Sequence, residues 1–257
     1  KGKQSMKVQY STHPGYPEVY KDIPLTTWFD MWCEYPAIKS CDWYKSMPKE
    51  TKYQGLNRAV ARIRDIMDNQ SDRTLFSTVR QCPNIKDVMI NSLLVKAPCD
   101  IDCAVADQGM LEDEPQPWLL YTPSDFNMPT MAPHSRTQFT CERSPLFKDH
   151  FNLKIDTQLV LRCPDGVEPS FAQPIYHNPN APWKVLQGQF TKPLNKHVRL
   201  IFNAMVHESV REFSIKKGDA LMYLFFGKKV DMEPVASVGN SLFRDRFGRR
   251  PTTTEGL

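Results

Sequence analysis

No run of 18 apolar residues occurs anywhere in the chain, which removes an α-helical membrane span from consideration. The first residues, Lys1-Gly-Lys-Gln-Ser-Met-Lys7, lead into polar and aromatic positions rather than an apolar core, so a soluble protein without a secretion signal is expected. Glycine is scarce, 11 residues against 21 prolines, and neither a Gly-rich phosphate loop, a nucleophile elbow nor a dinucleotide fingerprint is present. Strong charge of one sign is also missing. The net charge of +4 is small for 257 residues, and the Lys and Arg residues are scattered among nearly as many acids. A nucleic-acid binder more often concentrates its cations on one face, so nucleic acid is disfavoured as a partner, and no membrane partner is expected. Seven cysteines, an odd number at irregular spacing, point to reduced thiols in an intracellular setting.

Two further absences bear on metal chemistry. Cys99-Asp-Ile-Asp-Cys103 holds two thiols four positions apart, but no second close pair follows to complete a structural zinc site. On an extended strand Cys99, Ile101 and Cys103 share one face and Asp100 and Asp102 the other, which makes these packing cysteines. None of the six histidines has a carboxylate two positions later, the commonest sequence form of a ferrous-iron triad. A dispersed metal site would have to draw on His177, His197 and His207 with a distant carboxylate. Adjacent carboxylates such as Asp100 and Asp102, or Glu112 and Asp113, make no acid/base pair without a cleft that raises one pKa. No catalytic residue and no cofactor are assigned.

What is present is proline, aromatics and short apolar runs. Forty per cent apolar content suffices for a core, and abundant proline favours extended stretches joined by stiff turns. Residues 7–48 interleave Tyr10, Trp28, Phe29, Trp32 and Trp43 with Pro14, Pro24 and Pro36, which suits a segment wrapped over the body in extended form. A short helix over 25–32, capped by Thr26 or Thr27, fits inside it. The clearest helical pattern is 56–67, where Leu56, Val60, Ile63 and Met67 make one apolar face and Arg58 and Arg62 fall on another. A strand is expected over 74–79, a helix capped by Asn84 running to Leu94, and strands over 118–121, 158–162, 183–190, 198–205, 212–215 and 220–226. Gly218 supplies the turn in Lys216-Lys-Gly-Asp219. The expected fold is mainly β with a few short helices, a β-sandwich or barrel-like body over 49–235 between a Pro/aromatic-rich arm at 1–48 and a basic arm at 236–257.

Thr27-Trp-Phe29, Thr78-Val-Arg-Gln-Cys-Pro83, the stretch 93–102, Pro182-Trp183, Pro193-Leu-Asn195 and Ile215-Lys-Lys-Gly-Asp219 together resemble a family of uncharacterised proteins of tailed phages, especially cyanophages, and of some bacteria. That resemblance implies a phage or bacterial origin and a β-rich body, and its Ile-Lys-Lys-Gly hairpin is similar to turns of cupin and β-clip folds. It carries no activity with it. The expected function is therefore a non-enzymatic structural protein, a virion component located in the virion or the infected host's cytoplasm, that docks through its arms on copies of itself or on other virion proteins. Leu242, Phe243, Arg244, Arg246, Phe247, Arg249 and Arg250 are the expected docking residues of the basic arm. The alternatives are a β-barrel enzyme with dispersed His and carboxylate ligands, and a nucleic-acid accessory protein using Arg58, Arg62 and the terminal arginines.

Overall fold

A computed structural model describes residues 6–12, 23–52, 75–77, 79–106, 118–123, 149–189 and 197–236. In chain order the elements are β1 (Met6–Thr12), α1 (Leu25–Trp32), β2 (Cys33–Glu34), a 3-10 turn (Ala37–Ser40), α2 (Asp42–Ser46), β3 (Glu50–Lys52), β4 (Leu75–Ser77), a 3-10 turn (Val79–Gln81), α3 (Pro83–Asn91), β5 (Ser92–Lys96), β6 (Ile101–Ala106), β7 (Trp118–Pro123), β8 (His150–Arg162), β9 (Ser170–Ala172), β10 (Trp183–Val185), β11 (Gly188–Gln189), β12 (His197–His207), β13 (Glu212–Ile215), β14 (Ala220–Phe225) and β15 (Val230–Pro234). Two sheets of five strands carry the body, ordered β10-β12-β8-β1-β15 and β11-β9-β14-β5-β2. A sheet of three, β13-β6-β7, and the pair β3-β4 complete the described strands.

The main core takes side chains from both larger sheets. Phe151, Leu153 and Ile155 of β8 lie opposite Val206, Ala204 and Phe202 of β12, and all six are buried, as two-residue alternation on one face requires. Leu93 and Val95 of β5 and Met222 and Leu224 of β14 join the same cluster from the second sheet. Helix α1 adds Trp28, Phe29 and Trp32, spaced one, three and four apart on one stripe. The Trp28 indole donates to the Thr157 carbonyl at 2.9 Å, and the Thr157 hydroxyl to the Leu200 carbonyl at 2.7 Å. Those bonds hold the irregularity where the β8–β12 register shifts between Arg199 and Ile201 and Gln158 takes a φ of 60°. The Arg199–Asp156 ion pair and the Gln158 N–H to Asp156 bond close the same corner.

Several boundaries differ from the sequence reading. Helix α1 spans the expected residues, yet Pro24 is its N-cap residue and no side chain caps it; Thr26 and Thr27 lie inside the first turn. Proline's fixed φ sets the chain direction there without a hydroxyl. Likewise α3 begins with Pro83 after Cys82, so Asn84 is helical, and the helix ends at Asn91 because Ser92–Lys96 form a buried strand. Strand β8 begins at His150 rather than Gln158, and residues 183–190 break into β10 and β11. The expected helix at 56–67 and the expected docking residues 242–250 lie outside the described residues. Of the expected N-terminal arm, β1 is an interior strand, antiparallel to β8 and parallel to β15.

Candidate functional site

The 3-10 turn at Ala37–Ser40, helix α2 and the loop 173–178 meet over β14. His177 ties them together. Its Nε2 lies 3.0 Å from the Ala37 carbonyl, which only accepts, so Nε2 carries the proton, and Nδ1 accepts from the Tyr223 hydroxyl at 2.6 Å. Burial lowers the His177 pKa, opposed by the Ala37 carbonyl and the Glu34 charge, and burial raises that of Tyr223. This histidine is a neutral latch. Beside it the Trp43 indole donates to the Tyr176 carbonyl at 2.5 Å, and its ring sits 6.3 Å from that of Tyr176 and 5.8 Å, edge-on, from that of Tyr44. Trp43 is nonetheless 42% exposed and Ile175 52% exposed, large apolar side chains held at the surface.

Below Tyr44 opens a cavity of about 490 Å³ lined by Ile38, Tyr44, Lys45, Lys49, Arg80, Gln81 and Lys86. The Tyr44 hydroxyl donates to the Arg80 carbonyl at 2.8 Å and the Arg80 guanidinium to the Met47 carbonyl at 2.7 Å, which joins residues 44–47 to the turn before α3. A second cavity, of about 570 Å³, lies between the edge strands β2 and β15 and is bordered by Glu34, Tyr35, Lys39, Lys96, Lys229 and Asp231 among others. Lys96 stands 4.0 Å from Glu34 there. The Tyr35 hydroxyl accepts the Val230 N–H at 3.0 Å, on the side of β15 away from β1.

The three histidines singled out in the sequence are not one cluster. His197 and His207 are the first and last residues of β12, so the length of the strand separates them, while His177 is held by Tyr223 and Ala37. His207 instead pairs with His150, their rings 5.0 Å apart and perpendicular, and bonds the Ser209 hydroxyl at 2.8 Å. Burial, then the neighbouring His207, lowers the pKa of His150. Among the described residues no group of three or more His, Cys, Asp or Glu side chains is placed to hold a metal ion.

Cys99, Ile101 and Cys103 are buried, whereas Asp100 and Asp102 face outward, the alternation read from the sequence. Burial pushes the Cys103 thiol up to about 12. Asp100 accepts from the Lys217 N–H at 2.8 Å and from the Lys216 ammonium at 3.2 Å, which hold its carboxyl below the usual range. Its role is to seat the Gly218 turn, where φ is 88° and the N–H donates to the Ala97 carbonyl at 2.8 Å. Asp102 accepts from Ser214 at 2.6 Å across the β6–β13 pair. Glu112 and Asp113 lie outside the described residues.

Sequence reading named Trp43 only among the aromatics of residues 7–48 and Arg80 only within Thr78-Val-Arg-Gln-Cys-Pro83, and it gave no role to these residues, to Tyr176 or to the lysines around Tyr44. Lys45 and Lys49 are separated from Arg80 and Lys86 by more than 30 residues, and no spacing rule links the two pairs. The only local signal was Trp43-Tyr44, aromatic neighbours on a helix too short to bury both. Comparison of the chain with models of protein families, with curated proteins and with solved structures finds no match in any of the three.

Proposed function

We propose that this chain is a non-enzymatic structural protein, a component of a tailed-phage virion, in which extended arms of one copy dock on the body of another. The observation that supports this reading most directly is the unequal treatment of strand edges. Hydrogen bonding of Val105 N–H to the Arg211 carbonyl at 2.8 Å fixes the phase of the β6–β13 ladder. Backbone groups of a strand alternate in direction, so Glu212 and Ser214 turn theirs away from β6. By the same count Leu119 and Tyr121 turn theirs away on β7, whose partners on β6 are Val105 and Cys103. Among the described residues β7 and β13 are each paired on one side alone. An open edge is a template for an added strand, such as an arm supplied by another copy.

The edge of β15 offers fewer donors by contrast. The Val235 N–H donates to the Tyr10 carbonyl of β1 at 2.9 Å, so Asp231 and Glu233 also point inward, and Val230, Met232 and Pro234 outward. Tyr35 covers the first of these, and proline has no N–H to offer. Of the three, Met232 alone keeps a donor there.

Native mass spectrometry of the full chain, of a chain lacking residues 237–257 and of Glu212→Pro tests the proposal. Oligomers are expected for the full chain, with loss of assembly in both variants while the unfolding free energy of Glu212→Pro, from urea titration, stays within about 1 kcal/mol of the parent. Unchanged assembly in both would refute docking at this edge by this arm.

A further inference from the structure

The cavity between β2 and β15 holds charges of both signs apart. Asp30, Glu34 and Asp231 line it together with Lys39, Lys96 and Lys229. Among the described residues Lys96 and Glu34, at 4.0 Å, are the one ion pair these six form with each other, and that distance is beyond a hydrogen bond. Glu34 is sunk to a side-chain exposure of 21%, and its buried Oε1 accepts no hydrogen bond from the described residues. A carboxylate so placed is short of donors, and an ammonium entering from the cavity supplies them. Acids and lysines that share a cavity without pairing leave room between them for a ligand that carries both charges.

The rest of the lining narrows the ligand. Tyr10 and Phe29, stacked at 4.2 Å, and Ile90, Tyr35 and Met232 give the cavity apolar walls. Apolar walls with a few placed polar groups are the make-up of a small-ligand site, and about 570 Å³ falls within its usual size. Met232 adds a main-chain contact, because its N–H and carbonyl turn away from β1. A donor and an acceptor side by side on a strand edge match a peptide unit. We propose that this cavity binds a short zwitterionic peptide of about three residues, its ammonium at Glu34, its carboxylate among Lys39 and Lys229, and an apolar side chain against Tyr10 and Phe29. The site stands apart from the open edges of β7 and β13 and does not depend on them.

Equilibrium dialysis of the full chain against the isotope-labelled tripeptide Ala-Phe-Ala, with both ends free, is the test. Saturable binding of one peptide per chain is expected. N-acetylation or C-terminal amidation should each weaken it about tenfold, because each removes one charge-assisted contact. Glu34→Gln should weaken binding of the free peptide about tenfold and that of the N-acetylated peptide little, since the contact it removes is already gone. Lys39→Gln combined with Lys229→Gln should act in the same way on the free and the amidated peptide. Urea unfolding shows whether each variant is folded, and the blocked peptides, which need no variant, test the assignment on the parent chain alone. No retention with protein and peptide both at about 1 mM, or equal weakening of free and N-acetylated peptide by Glu34→Gln, would overturn it. Equal affinity for the free and the doubly blocked peptide would also overturn it, in favour of a strand of a partner protein laid along β15.

Discussion

His177 shows how one side chain can couple the fold to pH. In the folded protein burial keeps it neutral, whereas the unfolded chain takes up a proton near the ordinary histidine value of 6.5. The unfolded state therefore binds more protons as pH falls below 6.5, and the stability held in full above that value is lost progressively until the folded-state histidine also protonates. His150, lowered by burial and by His207, acts in the same direction. His177→Gln keeps a donor for Ala37 and removes the titration. The stability difference between parent and variant, followed by urea unfolding, should shrink between about pH 7.5 and pH 5.5, and a constant difference would contradict the latch.

At the scale of elements, short edges and corners decide what the sequence could reveal. Replacing Tyr35 by Phe keeps its edge-on packing against Phe226 but leaves the Val230 N–H without its acceptor. A loss of about 1 kcal/mol is expected in urea unfolding, with a rise in self-association by light scattering as the β15 edge opens. Elements with alternating or β-branched runs were legible: 212–215 reads as a strand and is one, and the glycine turn at 218 follows from its need for positive φ. Strand β5 was not, because Ser92-Leu-Leu-Val-Lys96 is buried along almost its whole length and a continuous apolar run does not separate strand from helix. Strand β15 was hidden for the opposite reason. Val230-Asp-Met-Glu-Pro234 has one buried residue and two acids, and it is a strand only because β1, more than 220 residues away, supplies its partner. The histidine latch and the cation-lined cavity join positions 36 to 140 apart, which no local pattern encodes.

At the scale of the molecule, the thiols report how much of the body opens together. Cys33, Cys103 and Cys163 lie in one buried cluster although they come from β2, β6 and the residue after β8. Burial raises all three thiols, those of Cys103 and Cys163 to about 12, so each reacts only when water reaches it. Pulsed alkylation read by peptide mass spectrometry should label the three at one common rate, set by global unfolding, and should label half-buried Cys82 earlier. Faster labelling of Cys103 than of Cys33 would mean that the sheet β13-β6-β7 opens on its own.

Strands β1 and β15 run side by side in the same direction, with Met6 opposite Val230 and Tyr10 opposite Pro234. A pull applied at Met6 and at Val235 therefore drags the two strands past one another along their length, and every bond of the ladder must yield at once. Antiparallel neighbours tugged from a shared end would instead unzip, bond after bond. The body is thus clamped in shear along the line joining its first and last described strands, with β8 bracing β1 from the other side. For a chain tethered at both ends this geometry makes the core a stiff link rather than a spool.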